Sequence, residues 1–371
     1  MSRKRSEAAI EAMRERFVAG ARENGVDEEQ ANAIYDKLVG FSGFGFPKSH
    51  AAAFGLLAYQ SAWLRHHHPG EFLCALLNAQ PMGFYPPASL VRDAQRRGVE
   101  VRPPDVNLSG AKARLEDEAV RVGLEYVQGI SEDDATALVE VRNAGGPFRD
   151  VVQLAQRAPL SEEQLETLVA SGACDRFGGS RRALLWELGL VPRSESVPGS
   201  RGTEQQLALA LDPTVETPRL REQTEWERML ADYRTTSLSV GTHPLKLLRP
   251  HLDPAILTSE QLANCRHGRR VRVAGMAVAR QRPSTANGVV FMLLEDEHGQ
   301  FNLIVPPPVY DRHRALVRGE ALLLAHGRFE KHDRNMNILV DKLETLGPLA
   351  REVSETGVSE SLPRAHHFGH R

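Results

Sequence analysis

Between Arg269 and Leu346 the sequence carries five runs rich in β-branched and aliphatic residues: "RVRVAGMAVARQRPS", "GVVFMLLEDEHG", "QFNLIVPP", "GEALLLAHGRFEKHD" and "MNILVDKLETL". Glycine-bearing turns separate them, and "VYDRHRALV" falls at helical spacing between the third and the fourth. Short apolar runs bounded by turn residues read as strands. Five strands with a helix after the third is the layout of an OB-fold β-barrel, so this segment constrains the whole architecture most.

The remainder reads as helix and turn. Ile10, Met13, Phe17 and Val18 recur at helical spacing, and Asp27 is placed to cap a second helix. Gly40 to Pro47 reads as a loop, and Ser49 as the cap of a helix carrying Ala53, Leu56, Leu57, Gln60, Trp63 and Leu64. Further on, Ser131, Ser161 and Ser180 each precede a helical run closed by glycine. Val191 to Pro218, rich in Pro, Ser, Gly and Thr, reads as a linker, and the polar stretch from Gly347 as a tail. The expected class is a multidomain α+β protein.

At 371 residues the chain is long enough for two or three domains. Its net charge is only -2, so any polyanion binding must be local. From Arg269 to Leu346 there are twelve Lys and Arg against nine Asp and Glu; from Val101 to Leu190, ten against fifteen. The barrel is therefore the better polyanion binder. Cys74, Cys174 and Cys265 are widely spaced, which excludes a disulfide framework and fits a reducing cytoplasm. The charged start "MSRKRSEAAIEAMRERF" and the lack of long apolar runs predict neither secretion nor a membrane.

No H-E-x-x-H, G-x-S-x-G, Walker loop or C-x-x-C appears, and no residue of this chain stands out as catalytic or as a metal ligand. "EDE" at Glu295 to Glu297 reads as a solvated hairpin turn, and "EDD" at Glu132 to Asp134 as a helix start. His66, His67 and His68 are consecutive on a helix, about 100° apart, and cannot converge on one ion. Lys48, Ser49 and His50 sit where a helix presents its positive end, and could hold an anion there with the free backbone N–H groups. The bland reading is a solvated lysine.

"VQGISEDDATALVEVR" resembles half of a helix-hairpin-helix element, with Gly129, Ile130 and Ser131 at the hairpin that offers N–H groups to a DNA phosphate. Serine stands at the second glycine position and acidic residues follow, so a structural role competes. In the barrel, Arg272, Arg280, Arg282, Arg328, Lys331 and Arg334 lie on or beside strands, with Phe291, Phe301 and Phe329 among them. Basic side chains along a backbone with aromatics for base stacking hold single strands, and Phe291 and Phe301 are the aromatics assigned to DNA. The competing reading is a Phe core and a soluble Arg rim. "EQQLALAL" is similar to a sliding-clamp peptide without its terminal aromatic.

Together these stretches resemble one family. "FSGFGFPKSHAAAFGLLAYQSAWLRHHHPGEFLCALLNAQPMGFYPPASLVRDAQRRGVEVRPPDVNLS" is similar to the fingers region of bacterial C-family DNA polymerases, the polymerase III alpha subunits, and closest to their error-prone branch. "VRVGLEYVQGISEDDATALVEVRNAGGPFRDVVQLAQR" with "LETLVASGACDRFGGSRRALL" resembles the family's tandem helix-hairpin-helix domain, and "TTSLSVGTHPLKLLRPHL" its bridge to the OB domain. The resemblance implies fingers over 1–100, hairpin domain over 101–190, linker over 191–225, bridge over 226–268, OB domain over 269–346 and tail over 347–371. It implies the carboxy-terminal part of an error-prone polymerase in translesion synthesis and DNA repair, without the palm whose carboxylates hold the catalytic metals. Lys48, Ser49, His50 and Arg65 would then meet nucleotide phosphate. DNA, deoxynucleoside triphosphates, and a sliding clamp or accessory repair proteins are the implied partners, with Mg2+ needed by the complete enzyme. A stand-alone, non-enzymatic single-strand-binding protein is the alternative.

Overall fold

The computed structural model describes residues 13–44, 48–82, 85–191, 218, 220–332, 335–354, 362 and 366–368. The chain divides into two compact units, Met1–His67 and His68–Arg371.

The first unit holds three helices, α1 (Arg14–Glu23), α2 (Glu28–Phe44) and α3 (Lys48–His67). Asp27 caps α2 as its sequence position predicts, its Oδ1 accepting from the Gln30 N–H at 2.8 Å. Phe17 packs on Tyr35 with ring centroids 5.2 Å apart, and Arg14 pairs with Asp36 at 2.6 Å, tying α1 to α2. Two expectations are corrected here. The stretch from Gly40 is helical as far as Phe44, because a glycine costs a helix only about 1 kcal/mol and does not by itself end one. Helix α3 starts at Lys48, so Ser49 lies within its first turn instead of capping it.

The second unit begins with α4 (Pro69–Asn78) and α5 (Pro87–Arg96), followed by a small sheet of β1 (Val101–Arg102), β2 (Arg114–Glu116) and β3 (Ala119–Arg121). Next come α6 (Glu132–Gly145), α7 (Val151–Arg157), α8 (Glu162–Ala170) and α9 (Arg181–Gly189), each capped by the Ser or Asp before it. Their apolar faces, with Leu124, Leu138, Leu154, Leu165 and Leu168 wholly buried, share one core. The segment 192–217, with the linker and the clamp-like peptide, lies outside the described residues. Helices α10 (Glu225–Thr236), α11 (Pro244–Leu248) and α12 (Ser259–Ala263) lead to the barrel.

Strands β4 (Arg270–Gln281), β5 (Val290–Glu295) and β6 (Gln300–Val305) precede two short helices, α13 (Pro307–Arg312) and α14 (Arg314–Gly319); β7 (Leu322–His332) and β8 (Asn335–Thr345) follow. The pairing runs β5-β6-β8-β7-β4 and closes through β4 with β5, the five-stranded closure predicted from the strand count. Gly275 makes room inside: a Cβ there would meet Leu294 Cβ at 2.9 Å and Phe301 Cζ at 3.0 Å. The outer side of β4 is also buried, for Ala274 and Met276 pack with Leu73, Val91, Trp226, Tyr233 and Leu245 of the helical block. The stretch read as a tail starts as helix α15 (Gly347–Ser354), with Ala350 in that same core, and a short strand β9 (His366–Phe368) runs parallel to β4 at Ala279–Gln281.

Candidate nucleic-acid interface

Strand alternation sorts the barrel residues. On β5 and β6, Phe301 pairs in register with Leu294 and points inward, 1% exposed. Phe291 pairs with Ile304 on the opposite face and is 37% exposed. The register then carries this outer row across the sheet, from Ile304 to Leu339 on β8, to Arg328 on β7, and to Arg270 on β4. The adjacent row is Leu293, Asn302 and Asn337. An exposed aromatic ring, flat aliphatic neighbours, two amides and an arginine row are suited to stack a base and meet a backbone phosphate.

The predicted DNA residues separate accordingly. Arg328 is exposed, 3.2 Å from Glu330, and Arg282 lies over the Tyr310 ring at 4.5 Å, just after β4. Arg272 pairs with Asp253 at 2.6 Å beside a cleft of about 490 Å³ lined by Arg269, Arg270, His326, Asp341 and Lys342. Lys331 donates from Nζ to the Ala263 carbonyl at 2.9 Å, which ties it to the end of α12. Arg334 lies outside the described residues. Phe301 and Arg280 are corrections: Phe301 belongs to the barrel core, and Arg280 is buried with its guanidinium donating to the Glu320 carbonyl. A bulge between Ala277 and Ala279 shifts β4 by one residue and sets Arg280 opposite the buried Met292. Phe329, the third aromatic, is also wholly buried.

At the predicted hairpin, Gly129 has a positive φ of 79° and Ile130 is buried, but the donors are already used. Ser131 caps α6 in a capping box, its N–H donating to Asp134 Oδ2 at 3.0 Å, and the Ile130 N–H donates to the Val127 carbonyl. Gln164, itself in the capping box of α8, donates from Nε2 to the Gly129 carbonyl at 2.8 Å and to Asp134 Oδ2 at 2.9 Å. The Ser131 hydroxyl and N–H, with Gln164, hold the Asp134 carboxyl below its usual range, so a fixed negative charge stands where a phosphate would dock. The geometry at Gly129, Ile130 and Ser131 is that of a helix–helix clamp.

In the first unit, Ser49 and His50 are exposed in the first turn of α3, with the His50 ring on Phe54 at 4.4 Å, and Arg65 is half-buried near its other end. Fifteen or more residues of helix separate Arg65 from Lys48, roughly 25 Å of axial rise, so one phosphate group cannot touch both. The Lys48 side chain is outside the described residues. Among the described residues no group of three or more His, Cys, Asp or Glu could hold a metal ion, and no helix is long and apolar enough to cross a membrane.

The "EDE" turn overturns its sequence reading, since Glu295 and Asp296 are almost wholly buried. Glu295 Oε2 accepts from Gln300 at 2.7 Å, while Oε1 lies 3.2 Å from Arg92 Nε, 3.8 Å from His243 Nε2 and 3.9 Å from Arg96 Nη1. Asp296 accepts the Ser259 N–H and hydroxyl, each at 2.6 Å, and Glu297 takes Arg249 bidentately at 2.6 and 3.0 Å. Burial raises the Glu295 carboxyl above its usual range, against the pull of Arg92. For Glu297, burial is outweighed by the hydrogen bonds and charge of Arg249, and its carboxyl is held low. These three carboxylates join the barrel to α5, α11 and α12. The one sequence signal was an acidic triplet at a strand end, and its basic partners lie at least 36 positions away.

Family comparisons agree with this layout. A helix-hairpin-helix motif family matches residues 98–184, and an OB-fold nucleic acid binding domain family matches residues 271–346. An error-prone DNA polymerase of Anaeromyxobacter dehalogenans (strain 2CP-C) is 43% identical over 359 residues, which is 93% of this chain and 31% of that one. Those of Methylococcus capsulatus and Burkholderia pseudomallei are 41% and 42% identical, over 91% and 90% of this chain and 34% and 31% of theirs. Among solved structures, asparaginyl-tRNA synthetase from Pyrococcus horikoshii is similar over 22% of this chain and 20% of its own, at 20% identity and a TM-score of 0.19. The chain spans about a third of the length of the curated relatives it matches, and by that collinear likeness it belongs to the error-prone DNA polymerase family.

Proposed function

We propose that this chain is the carboxy-terminal, DNA-binding part of an error-prone DNA-directed DNA polymerase acting in translesion synthesis and DNA repair, and that its barrel holds the single-stranded template. The observation that carries the proposal is the outer row of Phe291, Ile304, Leu339, Arg328 and Arg270 on an OB barrel, in a chain 43% identical to error-prone polymerases. A base stacks on Phe291, and Arg328 and Arg270 exchange their carboxylate partners for phosphate. Polymerisation, with its Mg2+ ions, is assigned to the portion of the relatives that this chain does not span. Incoming nucleotide phosphate meets the start of α3, where Lys48, Ser49 and His50 present N–H groups and positive charge; Arg65 is too far along the helix to share that phosphate.

The test is fluorescence anisotropy of a labelled single-stranded oligonucleotide with this chain. Phe291→Ala should weaken binding by about 1–3 kcal/mol without lowering the melting temperature. Unchanged affinity would remove Phe291 from the interface. Primer extension with the remaining portion of a relative supplied separates the polymerase reading from a stand-alone single-strand binder, which would bind DNA equally well and never restore synthesis.

A further inference from the structure

Helix α3 is out of balance with its surroundings. It is 20 residues long, and from Ser49 to His67 every residue is exposed except the half-buried Arg65. Yet Phe54, Leu56, Leu57, Tyr59, Trp63 and Leu64 are each 43% to 68% exposed. At 100° per residue these six large side chains spread over roughly 220° of the helix circumference. The remaining arc carries Ala51, Gly55, Ala58 and Ala62, residues small enough to let another backbone come close. A helix apolar on all sides is one that its working assembly buries.

The occupant follows from that distribution and from charge. A second copy related by a two-fold axis covers one stripe of a helix, about 100° wide, and leaves the other side of α3 in water. Enclosure needs a larger body that wraps the helix. From Gly40 to Gly70 there is no Asp or Glu, whereas Lys48, His50, Arg65, His66, His67 and His68 are basic or protonatable, so the body is apolar with an acidic rim. The relatives contain such a body's worth of chain, about two-thirds of their length beyond what this chain matches.

We infer that α3 is an interaction surface enclosed by the polypeptide portion of the polymerase that this chain does not span. The inference rests on the polymerase reading above, but not on the barrel's binding of DNA. The test mixes this full chain with that remaining portion of a relative and measures complex mass by light scattering after gel filtration, and amide exchange over 49–67. A one-to-one complex with slowed exchange along α3 is expected, weakened at least about tenfold by Leu57→Glu and, on the opposite side, by Tyr59→Glu. Circular dichroism checks that both variants stay folded, and their single-strand affinity should equal that of the unaltered chain.

No complex, or a complex with unchanged exchange in α3, overturns the inference. So does slowed exchange produced by self-association alone or by single-stranded DNA alone. If the complex forms as expected while Phe291→Ala leaves DNA binding untouched, the barrel reading falls and this one stands.

Discussion

Arg92 and Glu295 put two opposite charges almost wholly out of water, 3.2 Å apart, on elements about two hundred positions apart in the chain. Such a pair is worth little relative to an apolar pair of the same shape, but a great deal relative to one orphaned charge. Glu295→Leu alone should therefore cost about 3–5 kcal/mol in chemical denaturation, and Arg92→Met with Glu295→Leu markedly less. Equal losses in the single and double variants would show that the two side chains do not act on each other. His243 borders the same carboxylate. Its Nδ1 accepts the Leu245 N–H at 3.0 Å, which leaves the proton of the neutral ring on Nε2, and burial followed by Arg92, Arg96 and Arg249 holds its pKa well below 6.5. Because the folded pKa is the lower one, the stabilisation is fully present above pH 6.5 and is lost as pH falls below it. His243→Asn keeps an acceptor for the Leu245 N–H and should flatten that slope in melting curves taken between pH 7 and 5.

At the level of elements, strands and helices were legible and their facing was not. Ser131, Ser161 and Ser180 announced their helices because a capping hydroxyl is a local signal. On β5 and β6 the aliphatic residues Leu293 and Ile304 face outward, so the strands read as nearly continuous apolar runs and alternation gave no phase. That is why Phe301 could be taken for a stacking residue when it fills the space left by Gly275. The carboxylate anchors were invisible for a different reason: an ion pair leaves no local pattern when its halves lie far apart in sequence. The hairpin domain makes a prediction at this scale. Asp134 closes the α6 capping box and also receives Gln164 of α8, so Asp134→Ala should lower stability by about 1 kcal/mol and leave single-strand affinity unchanged. A large loss of DNA affinity in that variant would restore the hairpin as a DNA contact.

Charge is distributed over the whole molecule so that binding must be local. The net charge is -2, yet the barrel segment carries three more Lys and Arg than Asp and Glu, and the hairpin segment five fewer. Even on the barrel the exposed cations are spoken for: Arg270 by Asp341 at 3.3 Å, Arg328 by Glu330 at 3.2 Å, Lys342 by Glu344 at 3.0 Å. Exposed pairs of this kind hold each other weakly, about 0–1 kcal/mol, so a phosphate can displace the carboxylate at small cost. Each exchange releases the strand's counterions and adds about 0.7 to the magnitude of the salt slope for single-stranded DNA. With Arg270, Arg282, Arg328 and one or two neighbours engaged, the slope of log affinity against log salt should be about -2 to -4. Between 50 and 200 mM salt that corresponds to a loss of affinity of roughly 15-fold to 250-fold. Arg328→Gln should reduce the slope by about one phosphate's share while Phe291→Ala leaves it unchanged, since stacking releases no ions. A flat response to salt in the unaltered chain would mean that the arginine row on the barrel meets no phosphate, and would refute the proposed strand path.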